Sequence, residues 1–342
     1  MAARRCPRTC ILLLRPNLWK CAPYHSSLAY LYCVRSNPPP ALSQTRQYAV
    51  PRAPKAAAYS DVFTLAEIPR ASFESVISRN GDSFKRLSPE QYYDCAQRFT
   101  SAIKQGSSPW AVSLSGKDSI SAEVLHELAC VMRQIQGPRS ADAFATAMWA
   151  SASELGYRPS TLSLSRQLIR SGAYGRMPQL RKVEARFKQL VSTGKDPDAL
   201  TAEGELLFEQ GRFDVAVATL RRALRAGSAS FEWKPYCELC LGKALLKLGR
   251  RKEARTVLEA LSEAGLVEAD IELSNMLRAS DRDKAEQHMY AAACNGRPDM
   301  FSHLSEMALE GAASATDDGR SSEDRRRWAM EWSRLADART ER

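Results

Sequence analysis

The sequence predicts an all-α protein in which about five helical hairpins form an α–α superhelix, or solenoid, preceded by a small helical N-terminal region. Three observations lead to this prediction. Apolar residues recur at helical spacing in one segment after another from Asp61 onward, with breaks at Gly, Pro or Ser. No segment shows the alternating β-branched residues that are typical of a strand. A pattern of small and apolar residues also repeats itself from about Ala141 onward.

The first 60 residues differ from the rest of the chain in charge. They contain nine Lys and Arg and no acid, whereas the chain from Asp61 onward has 40 basic and 39 acidic residues. A basic, acid-free segment is typical of a transit peptide, and Arg46-Gln47-Tyr48-Ala49 resembles a mitochondrial matrix processing signal. We therefore predict a transit peptide over 1–48, a disordered linker over 49–60, and a location in the matrix or on the matrix face of the inner membrane.

This leader has two other interpretations, a secretory signal and a disordered basic tail. A secretory signal requires an uninterrupted apolar run, and Arg15-Pro16 ends the run that begins at Cys10. A disordered basic tail is the remaining alternative. Because the excess positive charge lies in the leader, the body offers no basic footprint for a phosphate backbone, which disfavours nucleic acid as a partner.

The chain contains no run of about 20 uncharged apolar residues of the kind that spans a membrane. We therefore expect no transmembrane segment. Any association with the inner membrane is expected to be peripheral and to depend on a partner protein.

Residues 61–138 are predicted to form the helical N-terminal region. A short helix is expected over Arg70–Ser78. Ser88-Pro89-Glu90-Gln91 combines an N-cap, a proline at the first helical position and a Gln that can return to the cap, so it opens a helix that continues to about Lys104. A polar loop follows over Gly106–Lys117, and a further helix over about Ile120–Gln136.

Residues 139–342 are predicted to form the repeat domain. One pattern occurs four times with identical spacing: three small or apolar residues in steps of four and three, then a Gly four residues later, which ends the helix. The four sets are Ala145, Trp149, Ala152, Gly156; Ala216, Leu220, Ala223, Gly227; Ala254, Leu258, Leu261, Gly265; and Ala285, Met289, Ala292, Gly296. Each set marks the second helix of a hairpin.

The first helix of each hairpin carries a small residue, here called the small position, where neighbouring helices can approach closely. The five small positions are Ser165, Gly204, Gly242, Ser274 and Ser305. First helices are predicted near 161–172, 198–210, 233–248, 267–279 and 298–310, and second helices near 179–193, 212–226, 251–264, 282–295 and 324–339.

This pattern resembles tetratricopeptide repeats, and the last hairpins resemble the Sel-one-like variety. The matching positions are Ala285, Met289-Tyr290, Ala292-Ala293, Gly296, Leu304-Ser305, Met307 and Gly311. Departures from the family are Ser305 in place of Gly, unequal spacing of the small positions (39, 38, 32 and 31 residues), and an insertion over about Ala312–Glu323. The resemblance covers roughly 141–340 and implies a helical array that binds other proteins.

In this family the first helices line the inner surface of the superhelix and present the side chains one and five residues beyond the small position. The resemblance therefore implies nine polar inner-face residues in this chain: Arg166, Arg170, Glu205, Glu209, Lys243, Lys247, Asn275, Glu306 and Glu310. Two interpretations stay open. The charges pair between repeats or form a solvated surface, or the four basic residues bind an acidic peptide or C-terminus.

The sequence offers little for catalysis. Cys237-x-x-Cys240 has the spacing of zinc and redox sites, but no second ligand pair accompanies it and apolar residues surround it, so both thiols are predicted to lie in the core. His126, His288 and His303 are interpreted as ordinary surface histidines. Phosphate-binding, hydrolase and metalloprotease motifs do not occur in the sequence. We expect neither an enzyme nor a metal or cofactor.

Two functions from different classes follow. The first is a mitochondrial protein-binding scaffold or assembly factor that holds a protein partner in its helical-repeat groove. The alternative is an RNA-binding helical-repeat factor in mitochondrial gene expression, because Leu155-Gly156-Tyr157-Arg158-Pro159 resembles a pentatricopeptide junction. The acids and the lack of aromatic residues among the inner-face residues argue against single-stranded RNA.

Overall fold

The computed structural model describes residues 62–81, 83–113, 119–227, 230–314 and 319–337. The predicted transit peptide (1–48) and linker (49–60) lie outside them. The described residues form fourteen α-helices and no strand, which confirms the all-α class. The helices are α1 (Arg70–Arg79), α2 (Pro89–Lys104), α3 (Ala122–Met132), α4 (Arg139–Glu154), α5 (Arg158–Arg170), α6 (Arg181–Ser192), α7 (Pro197–Glu209), α8 (Phe213–Ala226), α9 (Lys234–Lys247), α10 (Arg251–Glu263), α11 (Val267–Leu277), α12 (Arg282–Cys294), α13 (Met300–Ser314) and α14 (Gly319–Asp337).

The described chain divides into two compact units, 62–189 and 190–337. The first contains α1 to α5 and most of α6, and the second contains α7 to α14. α3 and α4 pack as a hairpin across 138/139, where the sequence predicts a domain boundary, and that boundary stays a prediction. None of the described helices has the length and apolar character needed to cross a membrane.

Capping begins α2 as the sequence predicts. The Ser88 hydroxyl accepts a hydrogen bond from the Gln91 N–H, and the Gln91 side chain accepts one from the Ser88 N–H. The loop after α2 is less polar than predicted, because a short 3₁₀ helix at Pro109–Ala111 is followed by Val112, which is buried. The Val112 N–H donates to the Ser151 hydroxyl of α4, which satisfies this buried backbone group.

The hairpin predicted from α5 and α6 is looser than the others. The two helices do not pack side by side along their lengths, as the other predicted hairpin helices do. Their connection contains a 3₁₀ helix at Pro178–Leu180, and its Gly175 N–H donates to the Glu184 carboxylate at 2.7 Å. Glu154 at the end of α4 accepts hydrogen bonds from Lys182 and Arg186 of α6.

The second unit consists of the four remaining predicted hairpins, and each helix lies within a few residues of its predicted position except α14, which begins at Gly319. The two helices of a hairpin approach each other closely at the small position, which explains why they pack as a pair. A Cβ atom on Gly204 would lie 2.5 Å from Leu220 of α8, and one on Gly242 would lie 2.9 Å from Leu258 of α10. Because such distances are shorter than atomic contact allows, only a residue without a side chain fits these two crossings.

Most of the predicted glycine terminators have positive φ angles. Gly156, Gly265 and Gly296 have φ of 82°, 82° and 106°, as expected for a left-handed residue after a helix. Gly227 is an exception, since its φ is −80°. Its small size is needed instead for space, because the Phe231 ring lies against it.

Candidate functional site

The first helices of the second unit form one layer. α9 packs against α7 as well as against α8, and α11 packs against α9 as well as against α10. Successive second helices are held mainly by their own hairpin partner and by the next first helix. The closer spacing of α7, α9 and α11 is the arrangement expected where an array curves toward its first helices.

The nine predicted inner-face residues differ in exposure. Arg166 and Glu205 are buried, each with 5% of its surface exposed, so the expectation that their side chains face a ligand is wrong. α5 packs against α4, and α7 packs against α8 and α9. Spacing within a single helix does not reveal this burial. Lys243 is half-buried, and the other six predicted residues are exposed: Arg170, Glu209, Lys247, Asn275, Glu306 and Glu310.

Ion pairs cross between successive first helices in the second unit. The Lys243 ammonium lies 3.3 Å from the Glu272 carboxylate of α11 and 5.9 Å from the centre of the Phe208 ring of α7. Glu310 of α13 accepts two hydrogen bonds from Arg278, at 2.5 and 3.2 Å. These contacts match the structural interpretation of the inner-face charges, although Glu272 and Arg278 were not among the predicted residues.

Three other polar residues of this layer are exposed and are in no ion pair within the described residues: Lys247, Glu209 and Asn275. They belong to the adjoining helices α9, α7 and α11. This layer therefore presents polar groups that are available to another molecule.

Both thiols of Cys237-x-x-Cys240 are buried in α9, as predicted. The Cys237 thiol donates to the Leu220 carbonyl at 3.5 Å, and burial raises its pKa to about 12. A thiol in this environment is protonated at neutral pH and is a poor nucleophile. No group of three or more potential metal-ligating side chains occurs among the described residues.

A second polar cluster joins α10, α11 and α12. The Asp270 carboxylate oxygen Oδ1 lies 2.6 Å from the Ser262 hydroxyl and 2.9 Å from His288 Nδ1. These are the residue types of a hydrolytic triad, but both partners bind the carboxylate and the imidazole does not reach the serine. The arrangement therefore links three helices and does not activate a nucleophile.

His126 of α3 corrects a prediction, because it is buried with 2% of its surface exposed. Its Nδ1 lies 2.9 Å from the Ser160 hydroxyl, and its Nε2 lies 3.7 Å from the Cys130 thiol. Burial lowers the pKa of His126 to about 4 and raises that of Cys130 to about 12. The pair is therefore neutral at physiological pH, which does not suit nucleophilic catalysis.

Sequence reasoning missed a groove on the last hairpin. A cleft of about 570 Å³ lies on α13 and α14, and its lining includes Leu309 and Met330, which are 51% and 65% exposed. Its floor contains Ser305 and Ser333, whose hydroxyl oxygens lie 2.9 Å apart. The one available signal was Ser333, a polar residue in the place where earlier second helices carry Leu220 and Leu258.

These features define a class of protein: an array of antiparallel helical hairpins in which first helices form a continuous layer. Residues 197–222 and 235–260 match the family model of the tetratricopeptide repeat. The first match covers α7 and most of α8, and the second covers most of α9 and α10. These two stretches of the chain are therefore similar to tetratricopeptide repeats.

Solved structures similar to this chain include the crystal structure of a Sel1 repeat protein from Oxalobacter formigenes. The TM-score is 0.42 and the sequence identity 15%, over 71% of this chain and 98% of that chain. A search of curated proteins found no match to the sequence.

Proposed function

We propose that this protein is a mitochondrial protein-binding scaffold or assembly factor, and that the layer of first helices α7, α9 and α11 contacts its partner. The observation that supports it most is the set of exposed polar residues on that layer, Glu209, Lys247 and Asn275, within or beside the two matched repeats. Arrays of this kind bind partners along the face of their first helices. The mitochondrial location rests on the acid-free basic leader.

We propose binding in preference to catalysis. Ser262 and His288 both bind Asp270, and the thiols of Cys130 and Cys237 are protonated at neutral pH, so none of these groups is an activated nucleophile. RNA binding is disfavoured because the exposed set includes Glu209 and because Phe208, an aromatic residue at this layer, lies beneath the Lys243 ammonium.

The test reverses the charge of the two basic inner-face residues of α9, Lys243→Glu with Lys247→Glu. A proximity-labelling enzyme is fused to the C-terminus of the full chain, and labelled proteins are compared in intact cells. We expect labelling of mitochondrial proteins, a subset of which falls at least tenfold in the double variant, because an acidic partner segment would meet repulsion.

The matched control is Arg251→Glu with Lys252→Glu, which makes the same charge change at exposed positions of the second helix α10. Labelling should survive this change. If the two double variants label the same proteins to the same extent, and each has the thermal stability of the parent protein, the proposal is contradicted. Recovery of crosslinked RNA would favour the alternative, and labelling confined to another compartment would refute the mitochondrial location.

A further inference from the structure

In the second unit, the first helix of each later hairpin packs against the second helix of the hairpin before it. α9 packs on α8 and α7, α11 packs on α10 and α9, and α13 packs on α12. The apolar cluster that results is continuous, since Leu258, Leu261, Leu273, Met289 and Leu304 all belong to it. The groove on α13 and α14 is the next member of this series, and no described helix fills it.

Small residues form the floor of this last groove. In two earlier hairpins a Leu of the second helix covers the small position of the first helix: Leu220 covers Gly204 and Leu258 covers Gly242. In the last hairpin Ser333 takes that place and Ser305 donates a hydrogen bond to the Ala329 carbonyl at 2.9 Å. The space that a leucine occupies elsewhere is therefore open to a side chain from outside, between the exposed Leu309 and Met330.

The α14 wall of the groove carries charges of both signs, since Arg334 and Asp337 are lining residues. Arg326 and Arg334 lie four residues to either side of Met330, and four-residue spacing places all three on one face of α14. Glu306 lies three residues before Leu309 on α13 and is exposed. Within the described residues Arg326 has no ion pair, whereas Arg334 contacts Glu331 at 2.9 Å.

We propose that this groove binds an amphipathic helix of a partner protein, which packs where a following first helix would lie. The helix inserts one large apolar side chain over Ser305 and Ser333 and carries acids on the edge that faces Arg326 and Arg334. A second copy of this chain fits less well, because an antiparallel pair of α14 helices centred on Met330 would bring Arg326 of each copy toward Arg334 of the other. This inference rests on the proposed function only in taking the partner to be a protein, since the surface is a different one.

The experiment places the photo-crosslinking residue benzoylphenylalanine at position 309 or 330 of the full-length chain in cells. The crosslinked segment is then identified by mass spectrometry. We expect a segment of another protein with apolar residues at i, i+3 or i+4, and i+7, flanked by acids. The same residue placed at Val215 of α8, which is also exposed, should give less than a tenth of that yield.

The variant Ser333→Leu tests the pocket itself. It supplies the residue that stands at positions 220 and 258, so the chain should fold with an unchanged or higher Tm, and the crosslink yield from position 330 should fall at least tenfold. If Ser333→Leu does not fold, Leu309→Glu read from position 330 replaces it, with Val215→Glu as the control. The pair Arg326→Glu and Arg334→Glu should lower the yield at least fivefold.

Several outcomes would overturn the inference: a crosslink between two copies of this chain, a crosslink to lipid or RNA, a segment without helical apolar spacing, no crosslink, or a yield unchanged by groove variants that fold. If the groove inference fails but proximity labelling still depends on Lys243 and Lys247, the proposed function is unaffected. If the groove crosslinks are found but labelling does not depend on Lys243 and Lys247, the proposed function is refuted and the groove inference is not.

Discussion

At the scale of single residues, burial decides what a side chain can do chemically. His126 is held among α3, α4 and α5, where the rings of Trp149 and Tyr157 lie 6.4 and 5.4 Å from its own. Glu127, the next residue, is also buried. Its carboxylate accepts hydrogen bonds from Tyr92 at 2.5 Å and from Arg86 at 3.1 Å. Burial disfavours the charged form of the imidazole, so His126 is neutral at physiological pH.

This burial predicts a pH dependence of stability. The unfolded chain binds a proton at His126 near pH 6.5, whereas the folded chain does so only near pH 4. The histidine therefore has no effect above pH 6.5, and as the pH falls from 6.5 to 4 it lowers the free energy of unfolding, by about 3 kcal/mol at most. Urea unfolding measured from pH 7 to pH 4.5 should show that the free energy of unfolding falls more steeply with decreasing pH for the parent protein than for His126→Gln.

The control for this measurement is His303→Gln, because His303 is exposed. Its pH profile should follow that of the parent protein closely. A His126→Gln profile parallel to the parent profile would show that His126 is accessible to protons in the folded state. The comparison of slopes is independent of any constant loss of stability that the substitution causes.

At the scale of helices, two kinds of contact determine how neighbours pack. Apolar side chains of the second helix fill the space over the small position, and polar groups at the helix ends satisfy the backbone. Asp196, for example, accepts hydrogen bonds from the N–H groups of Asp198 and Ala199 at the start of α7. Asp198 in turn accepts one from the Trp233 N–H, which connects α7 to the start of α9.

The crossing of α7 and α8 supplies a prediction at this scale. Gly204→Ala places a methyl group 2.5 Å from Leu220, so we expect a loss of about 1–3 kcal/mol in the free energy of unfolding. The higher helix propensity of Ala, worth about 1 kcal/mol, offsets only part of this loss. Chemical denaturation of purified variants measures the difference.

Leu220→Ala provides the second half of a double-mutant cycle. With the leucine removed there is room for the methyl group, so Gly204→Ala should then be neutral or stabilise the protein by up to about 1 kcal/mol. The same loss in both backgrounds would mean that the two residues are not in the contact described.

At the scale of the whole molecule, the second unit has its own apolar core. That core includes Leu258, Leu273, Met289 and Leu304, and it extends from α9 to α14. Stacked hairpins are stabilised mainly by their nearest neighbours, so a unit with complete hairpins should fold without the residues that precede it.

A fragment of residues 190–342 is therefore expected to be helical by circular dichroism and to unfold in one cooperative thermal transition. A shorter fragment, 230–342, lacks α7 and α8 and should melt at a lower temperature, because Trp233, Tyr236 and Cys237 lose the helices that cover them. A longer fragment without a cooperative transition would show that its helices depend on the first unit.

The sequence by itself determined the helices, because periodicity, caps and terminating glycines act over one or two helical turns. Ser88 and Gln91 form the predicted cap, and the predicted glycines end their helices. The helices of the five predicted hairpins could therefore be located to within a few residues, apart from the start of α14.

The tertiary structure alone decided which of those side chains remain accessible. Arg166, Glu205 and His126 are buried where their helices pack against neighbouring helices, and spacing within one helix carries no information about what covers its faces. The groove on α13 and α14 depends in the same way on three-dimensional context. A serine at position 333 gives no signal in the sequence. In the structure it leaves a pocket open, because it is smaller than Leu220 and Leu258, which fill the corresponding space in earlier hairpins.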